Sequence, residues 1–205
     1  MKFSFVSAVA ALAVVATLAG CGGKQQYTVQ GTIVNLNNAG LVLTNNGGND
    51  LTIANGATSF AFSQQISYGT TYNVAVKTQP AHMTCAWQTN NVGSAGYNVT
   101  IQMELACVQN SYNLGGQITG LTAGSDAKAR TITLTNGSTS SVVLSSDSAT
   151  SGALDFVFPT QVADGQAYGV VAVDGNNGLA CTVTNGVGVM HEVAVSNILV
   201  ACVPK

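Results

Sequence analysis

The feature that most constrains this chain is that its second half repeats its first. Tyr27, Gly31, Ile33 and Leu36 keep the spacing of Tyr112, Gly116, Ile118 and Leu121. Further on, Leu41, Leu43, Thr44 and Asn45 match Ile132, Leu134, Thr135 and Asn136. Phe60 and Phe62 match Phe156 and Phe158, and Gly69 and Tyr72 match Gly165 and Tyr168. Thirteen positions separate Tyr72 from Cys85 and Tyr168 from Cys181. Each copy then closes on a cysteine, Cys107 and Cys202. So many shared spacings exclude coincidence, and one supersecondary unit written twice must fold twice. The second copy carries extra residues around Gly124–Arg130 and Thr139–Gly152, which are expected as surface loops.

Within each copy the apolar period is two. Val99, Ile101, Met103 and Leu105 alternate with Thr100, Gln102 and Glu104, the pattern of a half-buried strand. Asn-Gly pairs at Asn46, Asn55, Asn136 and Asn185 punctuate the runs, and that dipeptide tolerates the positive φ angles of tight hairpins. No amphipathic helix is legible after residue 21. The pattern predicts an all-β protein of two tandem antiparallel sandwiches, covering residues 27–108 and 112–203. Only four residues separate Cys107 from Tyr112, so the two units must lie close together.

Residues 1–20 read as an export signal: Lys2, an apolar run from Phe3 to Val15, then small residues. The end of that segment, Leu18, Ala19, Gly20 and Cys21, resembles a bacterial lipobox. That resemblance implies cleavage before Cys21, diacylglyceryl and palmitate-type acylation of Cys21, and a short lipid-anchored tether over residues 21–26. By similarity to lipoproteins of enteric bacteria, Gly22 after the cysteine implies the outer membrane. Of the five cysteines, four then remain. Their spacings are alike, 107 − 85 = 22 and 202 − 181 = 21, and the simplest pairing is Cys85 with Cys107 and Cys181 with Cys202. A zinc site is the alternative, but two-residue cysteine spacings are absent.

The order Gly31-x-Ile33, Leu41-x-Leu43-Thr44-Asn45, Phe60-x-Phe62, Gly69-x-x-Tyr72, Gln79-Pro80 and the two cysteines resembles a repeat found in proteobacterial surface lipoproteins. Those repeats are Ig-like, and the Phe-x-Phe stretch also resembles prealbumin-like sandwiches, which leaves strand topology open. The second copy departs from the pattern, with Gly175 and Asn176 where Gln79 and Pro80 stand. The resemblance implies an envelope module with a structural, adhesive or protein-interaction role and carries no catalytic residue.

Charge is scarce: 6 Lys+Arg, 8 Asp+Glu and a formal net charge of −2. That excludes a nucleic-acid binder working by phosphate neutralisation. His82 has no carboxylate near it in sequence, and His191 has only Glu192 beside it, facing the other way if the segment is extended. Neither fits a nucleophile–histidine–acid triad. The acids Asp50, Glu104, Asp126, Asp147, Asp155, Asp164, Asp174 and Glu192 fall mostly in turns, where Asp bonds the backbone. Asp174 to Gly178 has the look of a calcium loop but lacks the closing acid. No metal, cofactor or enzymatic activity is expected. Three aromatics are candidates for ligand contact. Trp87, two residues after Cys85, shares its face and is expected in the core or, less simply, as a platform for sugar. Tyr68 and Tyr97 have Asp164 and Glu192 as counterparts and are expected to be exposed. The expected partners are thus the membrane through its lipid, other envelope or surface proteins, and a glycan as the alternative.

Overall fold

The computed structural model describes residues 24–173 and 178–205. The expected signal, Cys21 and the residues from Asp174 to Asn177 lie outside them. The first repeat comprises β1 (Gln26–Tyr27), β2 (Val29–Val34), β3 (Val42–Asn45), β4 (Gly48–Thr52) and β5 (Ser59–Ala61). It continues with β6 (Ile66–Ser67), β7 (Thr71–Thr78), β8 (Met83–Trp87), β9 (Val92–Ser94) and β10 (Ile101–Gln109). The second repeat begins with β11 (Ser111–Tyr112), β12 (Leu114–Thr119), β13 (Thr131–Asn136), β14 (Ser140–Ser145) and β15 (Leu154–Val157). It ends with β16 (Val162–Ala163), β17 (Ala167–Val173), β18 (Leu179–Thr184), β19 (Val187–Val189) and β20 (Val195–Pro204).

Each strand of the first repeat has its counterpart ten strands later, in the same place. One sheet runs β5-β2-β10-β8 and its copy β15-β12-β20-β18. The facing sheet runs β4-β3-β7-β9 and its copy β14-β13-β17-β19. Each pair of sheets encloses its own core. In the first, Val29, Leu41, Leu43, Val74 and Leu105 are wholly buried; in the second, Leu114, Ile118, Leu134, Met190 and Ile198 are. The alternation of buried and exposed residues along β10 is the period-two pattern made physical.

The repeated motifs turn out to be joints of the sandwich. Asn45 and Asn136 are buried, and their side-chain oxygens accept from the amides of Asn73 (3.1 Å) and Gly169 (2.8 Å) on the next strand. Phe60 and Phe62 meet edge-on at 6.1 Å, and Phe156 with Phe158 at 6.0 Å. Gln79 lies beside the edge strand β8: its Oε1 accepts from the Cys85 amide (2.8 Å) and its Nε2 donates to the Cys85 carbonyl (3.1 Å). A side-chain amide thereby stands in for a missing strand and satisfies part of an edge. Cys85 is bonded to Cys107 and Cys181 to Cys202. Each disulfide joins directly opposed residues of neighbouring strands in one sheet, rather than bridging the two sheets as in antibody domains.

Three expectations need amending. The sheets are not purely antiparallel, because β2 runs parallel to β10 and β12 parallel to β20. The first long strand and the last of each repeat lie side by side pointing the same way, a pairing across some seventy to eighty residues that no local period encodes. Val99 does not continue the alternation of β10. It is 91% exposed, because pairing with β2 begins only at Ile101 opposite Val29. The added stretch Thr139–Gly152 is only partly loop. It lengthens a hairpin, since β14 pairs with β13 from Ser140 to Ser145, and a short 3₁₀ turn follows at Ser146–Ser148.

Candidate functional site

Only Asn110 separates β10 from β11, and a densely bonded polar cluster forms around it. The Asn110 amide donates to the His82 carbonyl (3.0 Å), and the Asp164 amide donates to the Asn110 carbonyl (2.9 Å). Its side-chain oxygen accepts from the Thr84 hydroxyl (2.8 Å). Gln109, the last residue of β10, donates from Nε2 to the Asp164 carbonyl (3.0 Å) and accepts from Asn38 Nδ2 (3.4 Å). Between the two sandwiches, His82 Nδ1 stands 3.2 Å from Asp164 Oδ2, and the other carboxylate oxygen accepts from the Glu192 amide (3.1 Å).

Local geometry shapes this joint. Asp164 closes the β16–β17 turn, where Gly165 has φ +81°, and the His82 ring lies directly over Gly165, about 3.1 Å from where a Cβ would be. His82 (φ 61°) and Glu192 (φ 45°) hold left-handed backbone conformations that bulky residues seldom adopt. Such positions persist where the surroundings over-determine them, and here both stand at the Asp164 carboxylate. Asp164 is buried. Burial works against its charge, but the Glu192 amide, His82 and the Gly165 amide outweigh it and hold the carboxyl below its ordinary range. One oxygen is thus committed to His82 of the other sandwich, and the other to the Glu192 amide of its own.

Sequence reasoning missed this pair. His82 and Asp164 are 82 residues apart, and the only signal was indirect: the repeat alignment puts Asp164 and Glu192 where Tyr68 and Tyr97 stand in the first copy. Asp164 does not share the exposure of its counterpart Tyr68, because the second copy uses that end for docking.

Of the aromatic candidates, Tyr68 is 63% exposed and Tyr97 92% exposed. Tyr68 lies across Gly96, where a Cβ would fall 2.3 Å from its ring, and its amide donates to Gln25 (2.9 Å). Trp87 is half-buried, with its ring 6.0 Å from Phe60 and inclined at 65°. Tyr97 lines a cleft of about 490 Å³ with Tyr72, Asn90, Ser94, Asn98 and Gln102, bounded by β9 and the start of β10. Trp87 is not among the residues that line this cleft. The floor is a repeated device: the Tyr72 ring lies over Gly93, as Tyr168 lies over Gly188.

Other charged side chains make separate, exposed contacts. Lys77 pairs with Asp50 and, chiefly through that hydrogen bond, holds the Asp50 carboxyl below its ordinary range. Asp155 accepts from Gln117 (2.9 Å), and Lys128 lies 3.5 Å from Asp126. Among the described residues no three His, Cys, Asp or Glu gather as a metal site, and no helix is long and apolar enough to cross a membrane.

No family model matches the chain, and no curated protein does. Solved structures similar to it include the Bacillus anthracis TIE protein, at 13% identity and a TM-score of 0.46, covering 87% of this chain. The chain spans about a third of that protein's length, 34%. The major pilin T-13 of Streptococcus pyogenes is similar at 11% identity and a TM-score of 0.32, covering 89% of this chain and 98% of the pilin. The shaft pilin spaA of Lactobacillus rhamnosus GG, as its E269A mutant, is similar at 11% identity and a TM-score of 0.27, covering 88% and 98%. None of these likenesses carries a function to this chain.

Proposed function

We propose that the protein is a non-enzymatic lipoprotein of the cell envelope, anchored in the outer membrane through Cys21, with a structural or adhesive role exerted through protein contacts. The observation that carries this reading is the joint. A buried carboxylate meets a histidine of the other sandwich, and Gln109 and Asn110 bond the backbone of the same Asp164, so that one sandwich is fixed to the next. A chain that invests its scarce charge in rigidity suits a spacer or scaffold better than a catalyst. The two disulfides support export, since such bonds persist in oxidising compartments. The lipobox-like end of the leader supports the anchor, and two or three acyl chains make such anchoring stable. Five residues between Cys21 and Tyr27 would hold the first sandwich against the lipid surface.

Fractionation tests the reading. Replacement of Cys21 (Cys21→Ser) is expected to move the protein from the membrane to the soluble fraction and to abolish labelling by palmitate. A Cys21→Ser protein that stays in the membrane fraction would refute the anchor. Protease treatment of intact and lysed cells then separates a surface-facing adhesive role from a periplasmic structural one.

A further inference from the structure

We propose that the cleft between β9 and the start of β10 in the first sandwich is a binding site for a neutral pyranose oligosaccharide. The inference goes beyond the envelope role and does not depend on the lipid anchor. Three observations converge on it. First, its volume of about 490 Å³ falls within the range of small-molecule sites, roughly 300–1,000 Å³. Second, its side chains are two tyrosines, a set of neutral hydrogen-bonding groups and the apolar Val92 and Ile101, with no charged residue among them. Asn90, Ser94 and Asn98 make no side-chain hydrogen bond among the described residues, so their donors and acceptors face solvent unspent. Third, Tyr97 is 92% exposed and performs no packing task that the fold requires.

Sugar chemistry fits this inventory. A side-chain amide presents an acceptor and two donors in one plane, which matches neighbouring hydroxyls on a pyranose ring. A tyrosine offers a flat apolar face for the ring's C–H side and a hydroxyl at its rim. Anionic and cationic ligands would find no countercharge in the cleft. The second sandwich shows what happens to the same loop when it has structural work. There Glu192 replaces Tyr97, and its amide is bound to the Asp164 carboxylate at the joint. Among the described residues no domain is docked at that end of the first sandwich, which leaves its loop open to a ligand.

The test uses the two-domain chain from residue 21 onward with Cys21→Ser, followed by amide nuclear magnetic resonance. The probes are maltoheptaose, cellopentaose and chitopentaose, with polygalacturonate as the charged control. At least one neutral probe is expected to give saturable shifts at Gly93, Ser94, Asn98 and Gln102. Tyr97→Ala should weaken that binding about tenfold or more. Because Tyr97 is almost fully exposed, this variant should melt with the parent. Asn98→Ala should weaken binding as well. The proposal is overturned if no neutral probe shifts these amides at about 10 mM, or if Tyr97→Ala binds like the parent. It is equally overturned if phosphatidylglycerol–phosphatidylethanolamine vesicles, and not the sugars, perturb Tyr97, since that surface would then be a membrane contact. None of these outcomes bears on the Cys21 fractionation result.

Discussion

Gly116→Ala should destabilise the second sandwich far more than a methyl group usually does. Gly116 sits in β12 against β20, in the parallel pair that closes the repeat. A Cβ built there would lie 1.9 Å from the Ile198 carbonyl oxygen, 2.6 Å from its carbonyl carbon and 2.8 Å from its Cβ. Ordinary contact begins near 3.4 Å, so the strands must separate by more than 1 Å or the ladder must break. Neither neighbour is a flexible side-chain tip: the obstacle is the backbone of a central strand whose Ile198 is fully buried. Overpacking costs about 1–3 kcal/mol in cores, and a rigid backbone obstacle belongs at the top of that range. Alanine offsets about 0.4–1 kcal/mol by restricting the unfolded chain, leaving a net loss of about 2–2.6 kcal/mol. For a domain of this size that lowers the melting temperature by roughly 10–20 °C. Calorimetry should show the loss in the transition of the second sandwich, with the first little changed. Gly169→Ala in the same sandwich is the matched control, because its Cβ meets nothing within 4 Å and the residue has no positive φ. Equal melting shifts for the two variants would refute the argument that close strand approach selects glycine at position 116.

Four further outcomes follow from the same geometry. His82→Ala and Asp164→Asn should each loosen the coupling between the sandwiches while leaving both folded, read as a larger spread of interdomain orientations in small-angle scattering; unchanged scattering would count against the joint. The Asp164 carboxyl is held below its ordinary value, so its contribution to the joint is present above the unfolded-state pKa of about 3.8 and is lost as the pH falls through the lowered folded value. Scattering should therefore not broaden from neutral pH down to about 4 and should broaden only in stronger acid, whereas loosening near pH 6 would contradict the sign. Removing one disulfide as the Cys181→Ser, Cys202→Ser pair should cost about 3 kcal/mol for a loop of this length, measured by urea unfolding, with no loss seen if the reduced chain is already restrained. Leu105→Ala, at a wholly buried core position, should cost about 2–5 kcal/mol in the first sandwich by the same measurement.

Much of this architecture is legible residue by residue. The repeat showed at Gly31 and Gly116, at Asn45 and Asn136, and at the two Phe-x-Phe pairs, and each of these does the same work in both sandwiches. The alternation from Ile101 to Leu105 is the strand β10, and the cysteine spacings are the two disulfides. The candidate site was legible in its parts but not in its assembly. Tyr97 could be read as exposed from its charged counterpart, yet nothing local connected it with Tyr72, Asn90 and Gln102 across a cleft. Trp87 could be read as sharing the face of Cys85, and its contact with Phe60 came from strand order.

What the sequence alone determines here is therefore everything with a short period or an internal copy: strands, turns, the doubling of the fold and the cysteine partners. Tertiary structure decided three things. It set the parallel pairing of β2 with β10 and of β12 with β20, the exposure of Val99, and the meeting of His82 with Asp164. The physical reason is range. Side-chain alternation and turn preference act over a few residues, whereas these contacts join positions some seventy or more apart. They form only when two hydrophobic cores have closed and brought distant backbones to within a hydrogen bond of one another.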